Sequence, residues 1–67
     1  MNIKQNIMQI FEKFPHEVFT PASLAKRMYI FDMFVPYDND VHIRQLYAKK
    51  KIDRVERGQY ILNHDND

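Results

Sequence analysis

One glycine serves the whole chain, and it falls between two β-prone runs. Ile52-Asp53-Arg54-Val55 and Gln59-Tyr60-Ile61-Leu62 are joined through Glu56-Arg57-Gly58, so Gly58 supplies the positive φ that a hairpin turn needs. Two short strands are marginal alone in water and must pack against something else. The rest of the sequence offers helices. Ile3, Ile7, Ile10, Phe11 and Phe14 recur at spacings of four, three, one and three, which draws one apolar stripe down a first helix. Asn2 caps its start, and Pro15 ends it near Phe14. Glu17 to Thr20 reads as a short extended piece. Thr20-Pro21 then restarts a helix, because a hydroxyl cap precedes a proline at the first helical position. This second helix runs to about Met28, with Ala22, Leu24, Ala25 and Met28 inward.

Asp38-Asn39-Asp40 clusters capping residues ahead of Ile43, Leu46 and Tyr47, which return to a helical period. A third helix is therefore expected to about Lys50, with Lys49, Lys50 and Lys51 complementing its dipole. Between the second and third helices, Tyr29 to Tyr37 places seven large apolar or aromatic residues in nine, with no clean period. That is longer and more apolar than a helix-turn-helix link requires. Two readings compete. The segment extends the second helix and folds over the core, or it forms a homodimer or partner interface through Tyr29, Phe31, Met33 and Phe34.

A chain of 67 residues makes one domain, expected over 1–62, with 63–67 a disordered polar tail. At this size folding buries only about 60% of the unfolded surface, so stability is thin. No cysteine is present to add a disulfide, which fits a reducing, cytoplasmic setting and leaves oligomerisation as the available staple. No apolar stretch approaches a membrane span, and the N-terminal residues lack the pattern of a secretory signal. His16, His42 and His64 are far apart in sequence, the single serine, Ser23, has no base beside it, and no Gly-rich phosphate loop exists. No metal, no cofactor and no enzymatic activity are expected.

The formal net charge of +1 conceals a local imbalance. Residues 1–40 carry four Lys/Arg against five acids, whereas 41–58 carry Arg44, Lys49, Lys50, Lys51, Arg54 and Arg57 against Asp53 and Glu56, a local +4. Concentrated basic charge of this kind is the footprint of a nucleic-acid face.

The order helix, short strand, helix, helix, two-stranded hairpin makes a mainly α fold with a small β-hairpin, of α+β class. Over Phe19 to Leu62 the chain resembles a winged helix-turn-helix domain. The span Ile43-x-x-Leu46-x-x-x-x-x-Ile52-x-Arg54-Val55-x-Arg57-Gly58-x-Tyr60 is similar to a recognition helix leading straight into a basic wing. Within that superfamily it is similar to N-terminal modules of abortive-infection type antitoxins and to short phage or plasmid regulators. One position departs from the pattern: two before Ile52, where such domains often have glycine, stands Lys50. The resemblance implies a sequence-specific regulator of transcription bound to double-stranded DNA. The third helix would lie in the major groove and the wing on the backbone or minor groove. Arg44 suits guanine and Gln45 adenine, with His42 and Asn39 as further base-contacting candidates. Lys49, Lys50, Lys51, Arg54, Arg57 and Gln59 suit phosphates or the wing's contacts. A homodimer is expected, since one module this small makes few base contacts. The competing function is a protein-interaction module that uses 29–37 to hold another protein.

Overall fold

The apolar stripe near the N-terminus forms α1, Ile3–Lys13, in a computed structural model that describes residues 2–64. The Asn2 side chain accepts a hydrogen bond from the Lys4 amide at 2.9 Å, and Phe14 closes the helix just before Pro15. Ile7, Ile10 and Phe11 are fully buried, while Ile3 and Phe14 pack at the edge of the core.

The second helix, α2, spans Pro21–Ile30 and opens with a reciprocal cap. Thr20 Oγ1 accepts from the Ser23 amide at 3.1 Å, and the Thr20 amide donates to Ser23 Oγ at 2.8 Å, so two amides that a helix start leaves unpaired are satisfied. The chain's one serine is thereby committed to structure. Leu24 and Met28 are buried as expected, but Ala22 is exposed. The helix also runs two residues past Met28.

What ends it is a backbone device. Phe31 caps the helix, Asp32 adopts φ 61°, and the Asp32 and Met33 amides donate to the Tyr29 and Met28 carbonyls at 3.0 and 2.9 Å. This is a Schellman turn with aspartate in the left-handed position that glycine usually takes. The third helix, α3, Asn39–Ala48, ends the same way. Lys50 adopts φ 61°, its amide donates to the Tyr47 carbonyl at 3.0 Å, and the Lys51 amide donates to the Leu46 carbonyl at 3.0 Å. The helix thus stops at Ala48, short of the expected Lys50. At its start Asp38 makes no side-chain cap; the Asn39 side chain instead donates to the Pro21 carbonyl at 3.0 Å, tying α3 to the first turn of α2.

Strands β1, Ile52–Glu56, and β2, Gln59–Leu62, pair antiparallel, Ile52 with Leu62, Asp53 with Ile61, Arg54 with Tyr60 and Glu56 with Gln59. Val55 is the extra residue of a bulge in this register. Gly58 takes φ 77° at the turn, as expected. The piece before α2 contributes one bridge rather than a strand: Phe19 and Tyr60 exchange amide–carbonyl bonds of 2.7 and 2.8 Å. The described architecture is therefore three helices with a two-stranded sheet, an α+β fold.

The core gathers Ile7, Ile10 and Phe11 of α1, Leu24 and Met28 of α2, Ile43 and Leu46 of α3, and Phe19, Ile52 and Tyr60. Phe11 and Phe19 meet edge to face at 5.3 Å between ring centres. Arg27 closes one side, its guanidinium forked onto the Glu17 carboxylate and lying 4.4 Å from the centre of the Phe14 ring. The tail expected to fray begins at Asn63, yet Asn63 donates to the Lys50 carbonyl at 2.8 Å and His64 lies 2.8 Å from the Pro15 carbonyl. The remaining tail residues, 65–67, lie outside the described residues. Among the described residues no helix is long and apolar enough to cross a membrane.

Candidate nucleic-acid interface

Helix α3 buries Asn39, Ile43 and Leu46, which fixes what it presents outward. Val41, Arg44, Gln45 and Ala48, spaced three, one and three, form the opposite stripe, and all four are exposed. Arg44 and Gln45 are therefore placed together, flanked by two small or branched apolar side chains. Val41 and Ala48 were not singled out from the sequence. Their spacing from Arg44 and Gln45 is the signal that identifies them as part of the same exposed stripe.

Arg44 is held by Asp40 one turn earlier, at 3.1 Å, with both side chains well exposed. An exposed pair of this spacing contributes about 0.3–0.5 kcal/mol. A bidentate arginine–guanine contact discriminates by about 1–3 kcal/mol, so the intrahelical pair is weak enough to be exchanged for a base.

Two expected base-contacting residues are withdrawn by the fold. The Asn39 side chain is 7% exposed and spends its amide on Pro21, so it has no reach into a groove. His42 is largely buried, with Nε2 3.3 Å from the Asp38 carboxylate and Nδ1 enclosed without a partner among the described residues. Tyr47, expected inward, is exposed instead. It stands edge-on to Tyr60 at 6.0 Å, and the Arg54 guanidinium lies 5.5 Å from its ring centre. Arg54 thus ties the hairpin to α3. Arg57 is exposed at the turn, and Gln59 beside it is half-buried.

Lys49, Lys50 and Lys51 are all exposed where α3 gives way to β1. The Schellman turn and the Asn63 bond to the Lys50 carbonyl fix the backbone that carries them. A groove of about 750 Å³ opens beside them between α1, the end of α3 and β2, and Lys4 joins Lys49 and Lys51 in lining it. The sequence held no sign of Lys4, which reaches this group only through tertiary packing. Glu12 also lines the groove and partly offsets the charge.

The apolar segment divides between the two expectations held for it. Met33 and Val35 pack on the core and are only partly open to solvent, and Pro36 is buried. Phe31 is partly covered by Phe14, 5.9 Å away, and by Lys13. Tyr29 and Phe34, by contrast, are 79% and 68% exposed. The fold also stacks His16 on His64 at 5.2 Å, two residues far apart in sequence. Among the described residues no group of three or more side chains suited to a metal ion occurs. Comparison with known protein families, curated proteins and solved structures gave no match.

Proposed function

We propose that the chain is a winged helix-turn-helix protein that binds double-stranded DNA and regulates transcription, with α3 in the major groove and the β1–β2 hairpin as the wing. The observation that carries this reading is the outward stripe of α3. Arg44 and Gln45, side-chain types that can bond bidentately to guanine and to adenine, share one exposed face with Val41 and Ala48. Exposed cations lie beyond it at Lys49, Lys50, Lys51 and Arg57. The single bridge between Phe19 and Tyr60, which adds one paired residue beside β2, supports that topology.

The test is selection of bound duplexes from a random pool, followed by a salt titration on the selected sequence. If four or five phosphates are neutralised, the logarithm of affinity falls against the logarithm of salt with a slope of about −4. Arg44→Ala is expected to lose about 1–3 kcal/mol at one base pair and to relax preference there. Lys49→Ala is expected to weaken all sequences alike and to lower the slope by about 1. An empty selection together with a flat salt response would sink the proposal.

A second reading, a winged-helix scaffold that holds another protein, draws on the exposed Tyr29 and Phe34. It requires duplex affinity that is weak and indifferent to Arg44→Ala.

A further inference from the structure

The Schellman turn at Asp32 sends the chain back over the core, and the residues after it alternate in direction. Met33 and Val35 face the core, Pro36 is buried, and Phe34 and Tyr37 face solvent. Tyr29 and Ile30, in the last turn of α2, join them, with Ile30 71% exposed and Tyr37 fully so. Beside these residues lies a groove of about 550 Å³, walled by Ala25, Tyr29, Ile30 and Val35, with Lys26 at its rim. Phe34, 68% exposed, is the chain neighbour of Val35, which forms one wall of this shallow apolar groove.

We propose that this face joins two copies of the chain about a two-fold axis, the Phe34 ring of each filling the groove of the other. Three observations select a second copy as the occupant. An isologous contact needs a protruding side chain and a recess that one chain supplies to its copy, and the exposed Phe34 and the groove beside Val35 are such a pair, one residue apart in the chain. Charges of both signs are at hand: Lys26 lines the groove and Asp32 is exposed in the turn that follows Phe31, and neither has an ion pair among the described residues. Two-fold pairing sets each Lys26 against Asp32 of the second copy. The area is also adequate. Tyr29, Ile30, Phe34, Tyr37 and the free part of Phe31 present on the order of 700 Å². That total approaches the ~800 Å² per partner of a standard interface.

The pairing does not depend on the DNA reading; where both hold, it doubles the number of base contacts. Sedimentation equilibrium on the full chain is the test. The expected result is a concentration-dependent mass of two chains. Phe34→Asp and Ile30→Asp, both at exposed sites, should keep the helical circular dichroism and raise the dissociation constant about tenfold or more. Lys26→Asp should weaken pairing, and adding Asp32→Lys in the same chain should restore it. Arg44→Ala should leave the mass unchanged, so that failure of DNA binding and failure of pairing are read separately. A monomer at every concentration, or a dimer that survives both Phe34→Asp and Ile30→Asp, overturns the proposal; the first outcome leaves the face to a different protein.

Discussion

Helices α2 and α3 end in the same backbone motif and lead into opposite kinds of surface. At Asp32 the left-handed turn opens onto Phe34 and Tyr37; at Lys50 it opens onto a lysine cluster and the hairpin. Each turn is anchored by a buried side chain three positions before its cap, Met28 in one and Leu46 in the other. The shared geometry therefore comes from burial and amide–carbonyl pairing, not from glycine. The difference teaches that one capping device can present an apolar face or a cationic one, depending only on the residues that follow it.

Removing the anchors should have the largest effect. Met28→Ala and Leu46→Ala are each expected to cost about 2–5 kcal/mol, as much as the ~3–5 kcal/mol that a single core of this size supplies. Urea denaturation followed by circular dichroism should find both variants largely unfolded at 25 °C. If only one collapses, the two turns are not equivalent.

The next effect separates the turns by chemistry. A non-glycine residue in the left-handed region costs about 1–2 kcal/mol, and glycine's own entropic penalty is about 0.5–1 kcal/mol. Lys50→Gly is therefore expected to raise stability by about 0.5–1 kcal/mol in thermal melts. Asp32→Gly should gain less, because aspartate visits this region more readily. Equal gains would remove the distinction between the two positions.

Smaller effects belong to the surfaces themselves. Asp40→Asn should cost about 0.3–0.5 kcal/mol of stability, while fluorescence anisotropy at fixed salt should show duplex affinity rising as Arg44 is released. Tyr37→Ser should leave the melting of dilute protein within about 0.5 kcal/mol of the parent. A large loss there would mean that Tyr37 packs on its own chain.

Much of the fold was legible because its signals are local. The stripe from Ile3 to Phe14, the Thr20-Pro21 restart and the Gly58 turn each depend on neighbours within a few residues. The Schellman turns were not legible, since they usually advertise themselves with glycine and here use Asp32 and Lys50. Lys50, where the resembled pattern often has glycine, takes the left-handed φ of 61° that glycine usually adopts. The candidate interface was legible where helical spacing alone decides exposure, as for Arg44 and Gln45. It failed where a distant element intervenes. Asn39 is claimed by the Pro21 carbonyl, and Tyr47 is held outward between Tyr60 and Arg54. Neither contact leaves a mark in the sequence around the residue.

The bridge between Phe19 and Tyr60 joins positions about forty residues apart, and closing a loop of that length costs roughly 3 kcal/mol of chain entropy. The hairpin cannot recover that by itself, so it docks only once the helices supply a surface for Phe19 and Tyr60. Its presence is thereby linked to the folding of the whole chain as one cooperative unit. Hydrogen exchange should reflect this: the Phe19 and Tyr60 amides, bonded to each other's carbonyls, should exchange only through global opening. A hairpin bound in this way is coupled to α1 by two successive contacts, the Tyr60–Phe19 bridge and the edge-to-face meeting of Phe19 with Phe11.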